Sequence, residues 1–200
     1  MLVTSPAYSG RDRRREGFRL VLGMGALMWV AEIVDSFADH SLDQYGIEPR
    51  DNDGLVGIVA APFLHAGLGH LAANTVPFLV MGFVIAFKGA LRVLAVTAIV
   101  ALVGGLGTWL VAPAATLHIG ASGVVFGYAT YLLTRGIFNR DLLELAIGLA
   151  VGAIWGTALL GGVLPQEGIS WQGHLFGAVG GIVAARVLAP SRSEPIGSAR

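Results

Sequence analysis

Residues 91–111 read LRVLAVTAIVALVGGLGTWLV, and after Arg92 no charged side chain interrupts the run. An uncharged apolar stretch of this length is about what an α-helix needs to cross the roughly 30 Å hydrocarbon core of a bilayer. Inside hydrocarbon every backbone N–H and C=O must find its partner within the protein, so a lone spanning segment of this kind is a helix. This stretch points to an all-α membrane protein.

Five further apolar segments flank it: Phe18–Val34, His70–Phe87, Ile119–Leu133, Leu142–Val163 and Trp171–Leu188. The composition agrees. Charged residues make up 13% of the 200-residue chain, mean hydropathy is +0.71 and there are 29 glycines. Soluble domains carry about twice that share of charge, and small residues let helices pack closely where no hydrophobic effect drives them together. With no cysteine, disulfides, a thiol nucleophile and thiolate metal sites are excluded. A net charge of zero conceals a sorting by position. Arg11, Arg13, Arg14, Arg15 and Arg19 lie at the first span, and Lys88 and Arg92 between the second and third. Arg135 and Arg140 lie between the fourth and fifth, and Arg186, Arg192 and Arg200 near the end. The alternate gaps hold Arg50 among acidic residues. Basic loops face the cytoplasm, so both termini are expected there. No small-x-small cleavage site follows the first span, which sets aside a signal peptide.

The gap from Asp35 to Gly69 is long, and its apolar second half, Gly54 to Leu68, is too short to span. It is expected to be interfacial or re-entrant, buried in protein or lining a wet cavity. The stretch from Pro6 to Arg15 and the tail after Pro190 are polar and expected to be disordered.

A polar side chain inside a span is a functional hypothesis. Asn74, Ser122 and His174 are such residues. Counted from Lys88, Arg135 and Arg186 at about 1.5 Å per residue, they lie roughly 21, 20 and 18 Å from one face, hence at one level. His70 sits one turn from Asn74 on the same face. The chemistry open to this layer is acyl transfer, with Ser122 as nucleophile and His174 as its base. His70, Asn74 and the backbone N–H groups at the start of a short fourth helix supply oxyanion donors. Singly, each residue has a plainer reading. Ser122 would bond back to a carbonyl, Asn74 would join helices, and His174 would sit at a helix end. Gly120 to Val124 is not a Gly-x-Ser-x-Gly elbow. His65 and His70 lack the spacing and the carboxylate of a metal site. His40 and His118 read as ordinary loop histidines, and Glu32 and Asp35 as anchors to water.

Three strings, in order, carry a resemblance: His65-Ala-Gly-Leu-Gly-His70-Leu-Ala-Ala-Asn74, Gly120-Ala121-Ser122-Gly123, and His174-Leu-Phe-Gly177-Ala-Val-Gly180-Gly181. Together they resemble the rhomboid family of intramembrane serine proteases. The resemblance implies a six-transmembrane-helix bundle over residues 18–189, between a polar segment 1–17 and a tail 190–200. It also implies a Ser122–His174 dyad with no acidic third member, and an oxyanion site of His70, Asn74 and the Ser122 N–H. His65, mainly through structural hydrogen bonding, and Gly120 would have supporting roles. Gly123 with Gly127, and Gly177 with Gly181, would let two helices approach. The implied activity is peptide-bond hydrolysis in transmembrane protein substrates. They would enter laterally past a mobile fifth helix bearing Trp155, in a bacterial inner membrane. No cofactor, metal or nucleic-acid partner is expected. Two departures stand out. Phe126 replaces a tyrosine that stacks on the histidine, which would loosen that ring. Glu48-Pro49-Arg50 lacks the tryptophan of a Trp-Arg pair, which leaves the first loop's anchoring open. The alternatives are a catalytically inactive client-binding relative and a small transporter; the transporter would show internal symmetry, which is absent.

Overall fold

Turn chemistry sets where the helices stop. Gly89, at φ +97°, closes the turn after one helix, and Arg140 ends another in the left-handed conformation. The Asp141 and Ser170 side chains cap the next two by accepting from Glu144 N–H and Gly173 N–H. The computed structural model describes residues 10–190 and, among them, contains helices and no named strand. The long helices are α1 (Gly10–Phe37), α3 (Leu68–Ala86), α4 (Ala90–Val111), α5 (Ser122–Asn139), α6 (Leu142–Gly162) and α7 (Trp171–Val187). A single turn, α2 (Gly57–Ala60), lies between 3-10 turns at Asp53–Val56 and Ala61–Phe63. Four helices, α1, α3, α4 and α6, are long and apolar enough to cross a membrane. α5 and α7 are shorter, at 18 and 17 residues.

α1 starts at Gly10, so residues 10–17 are helical where disorder is expected. Residues 1–9 and the tail from 191 lie outside the described residues. The buried positions of α1, Gly17, Val21, Gly25, Met28, Glu32 and Asp35, recur every three or four residues and form one narrow stripe. Leu22, Leu27, Val30 and Val34 on its other faces are exposed. Apolar surface of this extent, repeated on α4 and α6, suits a hydrocarbon solvent. Glu32 and Asp35 lie on the buried stripe, each 1% exposed, and do not anchor to water. Asp35 instead turns the chain, its carboxylate accepting from Leu42 N–H at 2.7 Å.

The long first loop is fixed by two reciprocal contacts. The Arg50 guanidinium donates to the carbonyls of Leu110 (3.2 Å) and Ala112 (2.8 Å) at the end of α4, where unpaired carbonyls favour a cation. Trp109 of α4 donates its indole N–H to Asp51 O at 2.7 Å. A tryptophan from the neighbouring helix thus supplies the anchoring that Glu48-Pro49-Arg50 lacks. Beyond it, α2 packs on α4, with Ile58 against Gly105.

Arg135 is not in a gap. α5 runs past it to Asn139, and its side chain is buried, with Nε 3.7 Å from Glu144. Glu144 also takes Lys88 Nζ at 3.0 Å and Asn139 Nδ2 at 2.5 Å. The ends of α3 and α5 and the start of α6 therefore meet on one carboxylate. The core between them is built on Phe78, Met81, Val96, Tyr128 and Leu132. α7 lies between α4 and α5, its glycines against both.

Candidate active site

The loop before Ser122 is held at several points. His118 and Ile47 exchange backbone hydrogen bonds (2.9 and 3.0 Å), and Gly120 N–H donates to Ala61 O at 2.8 Å. Ala121 N–H donates to Nε2 of the fully buried His65 at 3.2 Å. Gly120 adopts φ +115°, and a Cβ there would lie 2.7 Å from His70 Cε1, so only glycine fits. α5 then starts at Ser122, with Val125 N–H to Ala121 O as its first backbone bond. The preceding N–H groups have no intrahelical partner.

Ser122 Oγ lies 2.8 Å from His174 Nε2. The other ring nitrogen, Nδ1, lies 2.7 Å from Gly162 O. A carbonyl only accepts, so Nδ1 carries the proton and Nε2 is left bare to accept from the Ser122 hydroxyl. A peptide oxygen at the end of α6 thus orients the imidazole, where a triad would use a carboxylate. The Phe126 ring lies 4.1 Å from the imidazole at 8° between planes. The stacking thus survives the replacement of tyrosine, and the imidazole is contacted by both this ring and the Gly162 carbonyl.

The approach of α5 and α7 that makes this contact rests on glycine. A Cβ on Gly177 would run into Gly123 O, and one on Gly181 into Gly127 O and Thr130 Oγ1. A Cβ on Gly127 would meet Gly177 O at 2.9 Å, and one on Gly123 would meet Gly173 O at 3.2 Å.

His70 Nδ1 accepts a long contact from Ala66 N–H (3.4 Å), which leaves the proton on Nε2, beside Gly120. Asn74 is buried and donates one amide N–H to His70 O at 3.0 Å. Asn74 and Ser122 line the same cleft between α3, α5 and α6, about 430 Å³ in volume, with Pro77, Phe126, Trp155 and Leu159. The described residues able to converge on a cation are Asp35, His40 and Asp43, whose ligand atoms lie within 4.8 Å of one another. None of them lines this cleft. Sequence reasoning missed the Gly162 carbonyl. The available signal was that the last carbonyls of any helix lack partners, here one loop before His174. It also missed His118, which is half-buried and bonded on both ring nitrogens.

A family model described as the Rhomboid domain matches residues 52–191. An uncharacterised protein of Mycobacterium tuberculosis is 46% identical over 191 residues, covering 91% of this chain and 80% of that one. An uncharacterised protein of Mycobacterium leprae is 45% identical over 182 residues, covering 86% and 72%. A putative rhomboid protease of Bacillus subtilis is 29% identical over 127 residues, covering 63% of each.

Proposed function

Because this chain belongs to the rhomboid family, we propose that it is an intramembrane serine endopeptidase working through Ser122 and His174. The family acts on membrane-protein substrates within the bilayer. The observation that carries the reading is the 2.8 Å contact of Ser122 Oγ with a His174 whose other nitrogen is fixed on Gly162 O.

In this mechanism the substrate's transmembrane segment enters between α3 and α6 and unwinds locally, because an intact helix hides its carbonyls. Ser122 Oγ attacks the exposed carbonyl carbon as Nε2 takes its proton. The oxyanion accepts from Ser122 N–H, the second Asn74 amide hydrogen and His70 Nε2–H. His174 returns the proton to the leaving amine, and a water, deprotonated in turn by Nε2, hydrolyses the acyl-enzyme. All six long helices serve as spans, with both termini on the cytoplasmic side of a bacterial inner membrane. Lys88, Arg135 and Glu144 mark that side.

The test is cleavage of a single-span reporter by purified protein in proteoliposomes. The parent cuts, while Ser122→Ala and His174→Ala each lose on the order of 10⁶-fold, to background. A serine-reactive phosphonate labels Ser122 in the parent and not in His174→Ala. Undiminished cutting by Ser122→Ala would falsify the assignment.

A further inference from the structure

Two loops lead into the catalytic helices: residues 112–121 precede Ser122, and residues 163–170 precede α7, which carries His174. Among the described residues three side-chain hydrogen bonds join the first loop and α5 to the second loop and α7. One is Ser122 to His174, and another runs from Thr130 Oγ1 to Ala178 O. The third runs from His118 Nδ1 to Ser170 Oγ, at 2.7 Å.

The protons of this third link can be counted. Thr116 Oγ1 donates to Pro113 O at 2.6 Å. Its one hydrogen is thereby used, so at its 2.8 Å contact with His118 Nε2 it accepts. His118 therefore carries its proton on Nε2, and Nδ1 is bare. Ser170 Oγ–H must then donate to Nδ1, and Ser170 Oγ accepts from Gly173 N–H at 3.2 Å as the cap of α7. The result is one directed chain: Gly173 N–H to Ser170, Ser170 to His118, His118 to Thr116, Thr116 to Pro113. Every donor and acceptor in it is used once in a consistent sense. Burial holds the His118 imidazole below the usual histidine range, which favours the neutral ring the chain requires.

Two members of this chain, Ser170 and His118, each lead by the backbone toward one of the two reacting side chains. Ser170 O accepts from the backbone N–H of His174 at 3.1 Å, so the capping residue holds His174 directly. His118 is itself pinned through its backbone to Ile47, and the residues after it to Ala61 and His65. The segment leading to Ser122 is thus fixed to the stretch before α3, and the His118 imidazole is its side-chain link to the loop before α7.

We propose that His118 is a positioning residue, which sets the first turn of α7 against the first turn of α5 and so holds His174 Nε2 on Ser122 Oγ. The proposal rests on the protease reading for its catalytic consequence, and on the hydrogen-bond chain alone for its structural part.

The test uses the full chain in proteoliposomes. His118→Ala lowers kcat on the order of tenfold or more, as misplacement of reacting groups does, with KM within about twofold because the substrate cleft is untouched. The rate of phosphonate labelling at Ser122 falls in proportion. His118→Gln restores most of kcat, since its amide offers a donor group and an acceptor group side by side, as the neutral ring offers one of each. Ser170→Ala also lowers kcat, and the His118→Ala/Ser170→Ala pair is no worse than the poorer single variant, as members of one unit behave. Nitrogen-15 spectra of the parent show His118 protonated at Nε2 and bare at Nδ1. A folded His118→Ala with unchanged kcat, a folded His118→Gln that restores nothing, or strictly multiplicative losses in the pair each overturn the positioning role. A proton on Nδ1 overturns the chain. If His118→Ala does not fold, the Gln and Ser170→Ala variants decide. A parent that neither cuts nor labels defeats the protease reading and the catalytic part of this proposal together, and the tautomer then judges the chain separately.

Discussion

α5 and α6 are consecutive, antiparallel neighbours, yet they are held in opposite ways. More than half of α5 is buried, from Val124 to Gly136, against α3, α4, α6 and α7. α6 buries only Glu144, Gly148 and Val151, all in its first half. Its start is clamped: a Cβ on Gly136 would strike the backbone of Leu145, and one on Gly148 would lie 2.6 Å from Leu132 O. Its far half presents Ile154 and Leu160 outward, 68% and 73% exposed, with Trp155 and Leu159 only leaning on the core. Ser122 therefore rides on the more deeply buried helix, and the wall of the cleft on a helix buried only in its first half. In the proposed mechanism stability and access then fall to different elements, since mobile parts come from the least stable regions.

The strongest way to break this contrast is to attack the fixed side. Gly181→Val drives a side chain into Gly127 O and Thr130; it should cost about 3 kcal/mol of stability and reduce cleavage to background, as read by denaturant unfolding in detergent and by the reporter. Gly162→Ala attacks the loose side, placing a Cβ 3.0 Å from His174 Nδ1 and against the Phe126 ring. The tip of α6 can yield, so stability should fall by no more than about 1 kcal/mol, while kcat falls roughly 10- to 100-fold. Equal losses of stability in the two variants would erase the distinction. Trp155→Ala thins the cleft wall; it should leave unfolding within about 1–2 kcal/mol of the parent and raise reporter cleavage a few-fold if gating limits the rate. Slower cleavage would mean that Trp155 grips substrate instead of closing the cleft. Phe126→Tyr keeps the stack and should move kcat by no more than about twofold. Leu149→Ala, on the outer face of α6, should shift stability by less than about 0.5 kcal/mol.

Much of the candidate site was legible because its residues are chemically conspicuous in apolar surroundings. Ser122, His174, Asn74 and His70 stand out in their helices, and the residues that the depth count put at one level do come together, Ser122 meeting His174 and sharing a cleft with Asn74, while two of its markers, Lys88 and Arg135, share Glu144. The same count misjudged Arg135 itself, since nothing local announces that a charge will be buried against a carboxylate on the next helix. Glu32 and Asp35 failed likewise: their three-residue spacing puts them on the inner stripe, but proximity to the end of an apolar run suggested water. The Gly162 carbonyl was invisible for a deeper reason. Every residue has a carbonyl, so only the fold selects the one that meets His174 Nδ1. Trp109 replaces an expected loop tryptophan from across the interface, a substitution that no single-segment pattern contains.

The oxygen that tethers His174 Nδ1 belongs to the backbone tip of α6, 2.7 Å away. A shift of about 1 Å there carries the pair beyond hydrogen-bonding range. Prising α6 aside to admit a guest helix would therefore slacken the base at the same moment, and restoring the tip would re-arm it. The doorway and the trigger are coupled like a safety interlock: in the proposed mechanism, peptide bonds passing an open door meet a disarmed serine, and hydrolysis waits for the door to shut behind them.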